Sequence, residues 1–83
     1  MSHYKKLYNK MKNNPRDVRF QSIDKLLTKK GGFTRKDPGS GSSHYTYSHP
    51  DLVDIITIPK DKPIKPIYIK KALEAFDIVN EDF

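Results

Sequence analysis

Tyr4, Leu7, Tyr8 and Met11 recur at i, i+3, i+4 and i+7. This is one apolar stripe at helical period, with lysines on the opposite face, and it predicts a helix over Ser2–Asn13. Ser2 is placed to cap it, and Asn13-Asn14-Pro15 ends it, because a residue before proline is pushed out of the α region. Ile23, Leu26 and Leu27, led in by Phe20, predict a second helix from about Ser22 to Lys30. Gly31-Gly32 closes it, with Lys29 and Lys30 in the last turn, where the helix dipole favours cations.

After the glycines the period changes to two. Phe33–Lys36, Ser43–His49 and Leu52–Ile58 read as strands, the last with five β-branched residues among its seven. The cluster Asp37-Pro38-Gly39-Ser40-Gly41 and the turn His49-Pro50-Asp51 join them into an antiparallel meander. On the middle strand, alternation sends Tyr45 and Tyr47 toward the helices, with Ser43 and His49, and sends His44, Thr46 and Ser48 outward. Pro59 to Pro66 is expected to be an extended loop. Ile69, Ala72, Leu73 and Phe76 then restore the helical stripe, with Pro66 in the first turn. The order α-α-β-β-β-α predicts an α+β fold, with helices packed on one face of a three-stranded antiparallel sheet and the other face open. Residues 79–83 are expected to fray.

Eighty-three residues, 35% hydrophobic, suffice for a single domain with one core. No apolar run approaches the roughly 20 residues of a membrane span, and no secretory leader is evident, so a cytoplasmic location is the default expectation. The absence of cysteine excludes disulfides, thiolate metal sites and a thiol nucleophile. Charge is uneven. Residues 1–36 carry eight Lys and three Arg against two Asp, net +9, and the remainder is −3, for the overall +6. A basic half points to a polyanionic partner such as nucleic acid, or else to a solubilising surface.

Few residues offer chemistry. His3 lies at the N-terminus and His49 in a turn, whereas His44 follows the small-residue stretch Gly39–Ser43 on the outward strand face. A lone strand histidine is commonly structural, but one beside a loop that lets a phosphate approach the backbone can act as acid or base near neutral pH. No HxxxH or paired-carboxylate spacing favours a metal, and Gly39-Ser40-Gly41 lacks the Gly-Lys-Ser/Thr of a P-loop. Asp51, Asp54 and Asp61 read as solvated surface.

Taken in order, Asn14-Pro15, Val18-Arg19-Phe20, Leu26-Leu27, Gly32-Phe33, Gly41-Ser42-Ser43-His44-Tyr45-Thr46-Tyr47, His49-Pro50, Ile58-Pro59 and Lys65-Pro66-Ile67-Tyr68 resemble the HicA toxin family. The resemblance covers roughly residues 14–77. It implies a dsRBD-like core over residues 14–78, preceded by an N-terminal helical extension over residues 1–13. It further implies an mRNA interferase acting independently of the ribosome and a HicB-type antitoxin as protein partner. The family histidine follows a Gly-Ser pair and precedes an aromatic residue, and His44 matches it, with Ser43 before and Tyr47 after. The chain departs from the pattern at Ser42, which stands where the family glycine falls, one position after Gly41.

On this reading His44 cleaves RNA as a general acid or base, with no metal and no small-molecule cofactor. Arg35, Lys36, Lys60 and Lys62 are candidate phosphate contacts or ordinary surface cations, and Ser42 and Ser43 candidate hydroxyl or backbone donors. Ser43 shares its strand face with the tyrosines, so its side chain is either buried or available. The competing class is a non-catalytic double-stranded-RNA-binding module, in which Lys70-Lys71 would meet phosphates. A purely structural interaction protein is the third.

Overall fold

The computed structural model describes residues 3–39, 41, 43–60 and 64–80. The first helix, α1, spans His3–Asn13 and buries Tyr8 and Met11 of the expected stripe. Asn14 N–H donates to the Lys10 carbonyl (3.0 Å) and closes it. The expected cap, Ser2, lies outside the described residues.

The second helix departs from expectation at both ends. As α2 it runs over Phe20–Lys25, starting two residues early. Phe20 is buried and tilted against Tyr45 at 4.7 Å between ring centroids, which draws it into the helix, and Arg19 is left as the extended residue before it. Leu26–Lys30 is then a π turn, not a continuation of the α-helix. Gly31 N–H reaches back five residues to the Leu26 carbonyl (2.9 Å). Thr28 Oγ1 donates to the Asp24 carbonyl (2.8 Å), engaging the acceptor that an α-helix offers Thr28 N–H, a substitution that loosens the helical ladder. Of the two glycines that follow, Gly31 has ordinary φ but no room for a side chain, while Gly32 has φ +77°.

Three strands follow: β1 (Thr34–Lys36), β2 (His44–His49) and β3 (Leu52–Pro59), hydrogen-bonded in the order β1-β2-β3. Both pairs are antiparallel, with Arg35 opposite Tyr47, His44 opposite Pro59 and Tyr47 opposite Ile56, and the register shifts between Tyr47 and His49. Phe33 is not in β1. It is buried, and its N–H donates to the Leu27 carbonyl (2.9 Å).

Pro59, expected in the loop, is the last residue of β3. Lys60 N–H donates to the Ser43 carbonyl (3.0 Å). By antiparallel alternation His44 and Pro59 therefore form a non-hydrogen-bonded pair, and the proline's missing N–H falls on the outer edge of the sheet, where the ladder does not need it. The loop that follows is not wholly extended over solvent either: Ile64 is fully buried, and its N–H donates to the Val18 carbonyl (3.4 Å).

The last helix, α3, spans Pro66–Val79 with proline in its first turn. Asn80 is not frayed. Its Nδ2 donates to the carbonyls of Phe76 (3.1 Å) and Gly31 (3.4 Å), capping α3 and tying it to the π turn. Residues 81–83 lie outside the described residues.

The fold is thus α+β, with a three-stranded antiparallel sheet and helices. A single cluster joins Tyr8 and Met11 of α1, Ile23 of α2, Leu26 and Leu27, Tyr47 and Ile58 of the sheet and Ile69 and Phe76 of α3. The N-terminal helix is therefore part of the core. Among the described residues no helix is long and apolar enough to cross a membrane.

Tyr8 Oη donates to Asp77 Oδ1 (2.6 Å), joining α1 to α3. Burial, then this hydrogen bond and the Asp77 charge, push the Tyr8 phenol up to about 12. Its unfolded value is about 10. The folded state therefore holds the proton more tightly, and this stabilisation, whole below about pH 10, is lost as pH rises toward about 12. Unfolding measured at neutral pH and across the alkaline window up to about pH 12 should show Tyr8→Phe less stable than wild type at neutral pH and declining less steeply through that window. Parallel declines would remove Tyr8 from the alkaline transition.

Candidate functional site

The outward face of the sheet is built by parity. His44, exposed, stands at the start of β2, with Thr46 two residues on. Lys36 lies opposite Thr46 on β1, and Thr57 opposite Thr46 on β3. Lys36 is thus a diagonal neighbour of His44, a separation of about 7–8 Å or less that a lysine side chain spans. Pro59 flanks His44 on the other side. The polypeptide enters this strand through Gly41, whose φ of +81° is the left-handed conformation that favours glycine, and through Ser43, which is exposed. The Ser43 side chain is therefore on the surface, while its carbonyl is engaged by Lys60 N–H. Ser42 and Lys62 lie outside the described residues.

Arg35 does not join this face. Its partner across the ladder is the fully buried Tyr47, so it points toward the helices. There Asp24 of α2 takes Tyr47 Oη (2.7 Å) on Oδ1 and Arg35 Nη1 on both carboxylate oxygens (3.2 and 3.3 Å), while Arg35 Nε meets Asp37 Oδ1 at 2.9 Å. The Asp24 charge and hydrogen bond raise the guanidinium further above its ordinary value, with Asp37 adding to them. Burial first, then the bond to Asp24, pushes the Tyr47 phenol well above the usual tyrosine range. Arg35, a candidate phosphate contact or surface cation from the sequence, here meets two carboxylates, because the β1–β2 register gives it inward parity. Lys60 is also on the helix side, its ammonium 5.8 Å from the Phe20 ring centroid. Of the cations expected around His44, Lys36 shares its face.

Asp24 is the polar residue that sequence reasoning missed. A buried tyrosine needs a partner for its hydroxyl, and an acid on the facing helix was the available signal. His49 has a side chain 12% exposed, with its ring tilted against Phe33 at 5.2 Å and close to Gly32. Its Nδ1 accepts the Asp51 N–H (3.0 Å), so the neutral ring carries its proton on Nε2. His49 is thereby a turn and packing residue on the face opposite His44. Among the described residues, no three His, Asp or Glu side chains converge.

The fold and site define a small α+β protein with an open sheet face that carries one histidine and a neighbouring lysine, with Val53 and Ile55 exposed farther along β3. Set beside known protein families, curated proteins and solved structures, the chain shows no significant match to any of them.

Proposed function

We propose that the chain is an RNA-cleaving toxin of the HicA type, with a dsRBD-like core, acting in the cytoplasm on messenger RNA. The observation that carries this reading is His44 exposed on the uncovered sheet face, diagonal to Lys36 and entered through the left-handed Gly41. The basic N-terminal half, +9 over residues 1–36, supports it by favouring a polyanion.

In the proposed reaction the 2′-oxygen of a ribose attacks the adjacent phosphorus as its proton passes to a base. The bond to the 5′-oxygen breaks, and that oxygen takes up a proton. His44 supplies one of these transfers, and Lys36 offers charge to the phosphate oxygens. With one histidine on this face, the second transfer is left to water, so turnover is slow. A HicB-type antitoxin with an acidic surface would silence the protein by covering the same face, steered by the net charge of +6.

The test is incubation of purified protein with single-stranded RNA in excess EDTA, with analysis of the product ends. Fragments ending in 2′,3′-cyclic phosphate and 5′-hydroxyl are expected. Intact single-stranded RNA, together with retention of RNA duplex in a parallel binding assay, would instead favour the non-catalytic binding module.

A further inference from the structure

The outermost line of α3 has an unusual composition for a surface helix. Ile67, Lys71, Glu74 and Ile78 are all exposed, the two isoleucines at 57% and 60%. They follow one another at spacings of four, three and four, the seam of a coiled coil, while Ile69, Ala72, Leu73 and Phe76 of the same helix face the core. A helix that packs on its domain by one face ordinarily keeps its outer line polar. Ile78 also lines a groove between α3 and β3 that Ile55, itself 64% exposed, lines from the strand side.

The line is also palindromic in chemistry. Antiparallel to a copy of itself, with a two-fold axis between Lys71 and Glu74, it sets Ile67 opposite Ile78 and Lys71 opposite Glu74 at both ends. This is the a-to-d layering of an antiparallel helix pair. Among the described residues neither Lys71 nor Glu74 has an ion pair within the chain, so both charges are available for an intermolecular one. From this self-complementarity we propose that a second copy of the chain docks on α3, forming a two-fold homodimer through Ile67, Lys71, Glu74 and Ile78. The His44 face lies on the far side of the sheet from α3 and stays open in the dimer.

One helix seam with a strand edge is a contact at the small end of stable interfaces, around 1,200 Å² or less in total, so association is expected to be weak and to be read over a micromolar range of concentration. Sedimentation velocity on the full chain across that range, at low ionic strength, tests it. The wild type should move from monomer to dimer with concentration. Lys71→Glu and Glu74→Lys each place two like-charge pairs across the axis and should weaken the dimer by about tenfold or more. The double variant K71E/E74K restores opposite charges and should recover dimerisation. Both residues are exposed, so thermal melts of all three should match wild type. A wild type that stays monomeric, single variants that associate as wild type does, or a double variant no better than the singles would each overturn the proposal.

Discussion

His44→Ala should abolish most RNA cleavage while leaving the protein folded. General acid–base catalysis by one side chain contributes about 10²–10⁴-fold, and no second histidine lies on that sheet face to compensate. His49 cannot substitute, since its ring is packed on Phe33 and its Nδ1 is occupied by the Asp51 N–H. The His44 side chain is exposed, so its loss should change stability by no more than about 0.5 kcal/mol. The two readouts belong together. Cleavage in EDTA by wild type and variant, compared at equal concentration, measures the chemistry, and thermal unfolding measures the fold. Induced expression should arrest growth with wild type and not with the variant. Equal cleavage by the two proteins would remove His44 from the mechanism, and a melting temperature several degrees lower would make it a structural residue.

Gly31→Ala should be the most damaging of the glycine substitutions for stability. A β-carbon at this position would stand 2.9 Å from the Leu27 carbonyl oxygen, 2.9 Å from Phe76 Cδ2 and 3.0 Å from Phe33 Cδ1. One of these is backbone and the other two are buried rings, so nothing nearby can swing away at low cost. Overpacking of this kind costs typically about 1–3 kcal/mol, which for a domain of this size lowers the melting temperature by about 5–20 °C. Gly39→Ala is the matched control, since a β-carbon there meets nothing within 4 Å and its φ is not positive. Similar melting of the two variants would mean that the π turn does not press against Phe76 as described.

The parts of the fold that were legible are those set by local period. Tyr4, Leu7, Tyr8 and Met11 mark α1, and the alternation of His44, Tyr45, Thr46 and Tyr47 separates the outer face from the core. The parts that were not depend on pairing between distant residues. A three-residue strand is too short for alternation to reveal which way Arg35 points, and only its register with Tyr47 decides it. Proline reads as a loop signal, yet Pro59 is harmless in β3 because its absent donor falls on the sheet's edge. Asn80 looked like a loose end because nothing adjacent in sequence holds it; the Gly31 carbonyl, one of its two acceptors, is nearly fifty residues away. As for the candidate site, the outward placement of His44 was legible from its parity, whereas which cations share its face, being a matter of register, was not.

Arg35 has a mechanical consequence for the histidine it does not touch. Its guanidinium fastens Asp24 of the helix layer to Asp37, the first residue after β1 on the way to His44, and Asp24 also holds the Tyr47 hydroxyl on the same strand as His44. The approach to the His44 face is thereby moored at one end to the helix layer. An incoming phosphate on the helix side would have to evict two carboxylates to reach that arginine, whereas on the open side it meets Lys36 without a rival among the described residues. The sheet is in this way polarised, with the arginine of β1 spent inside the fold on carboxylates and the next residue, Lys36, turned outward, the two separated by the thickness of a single strand.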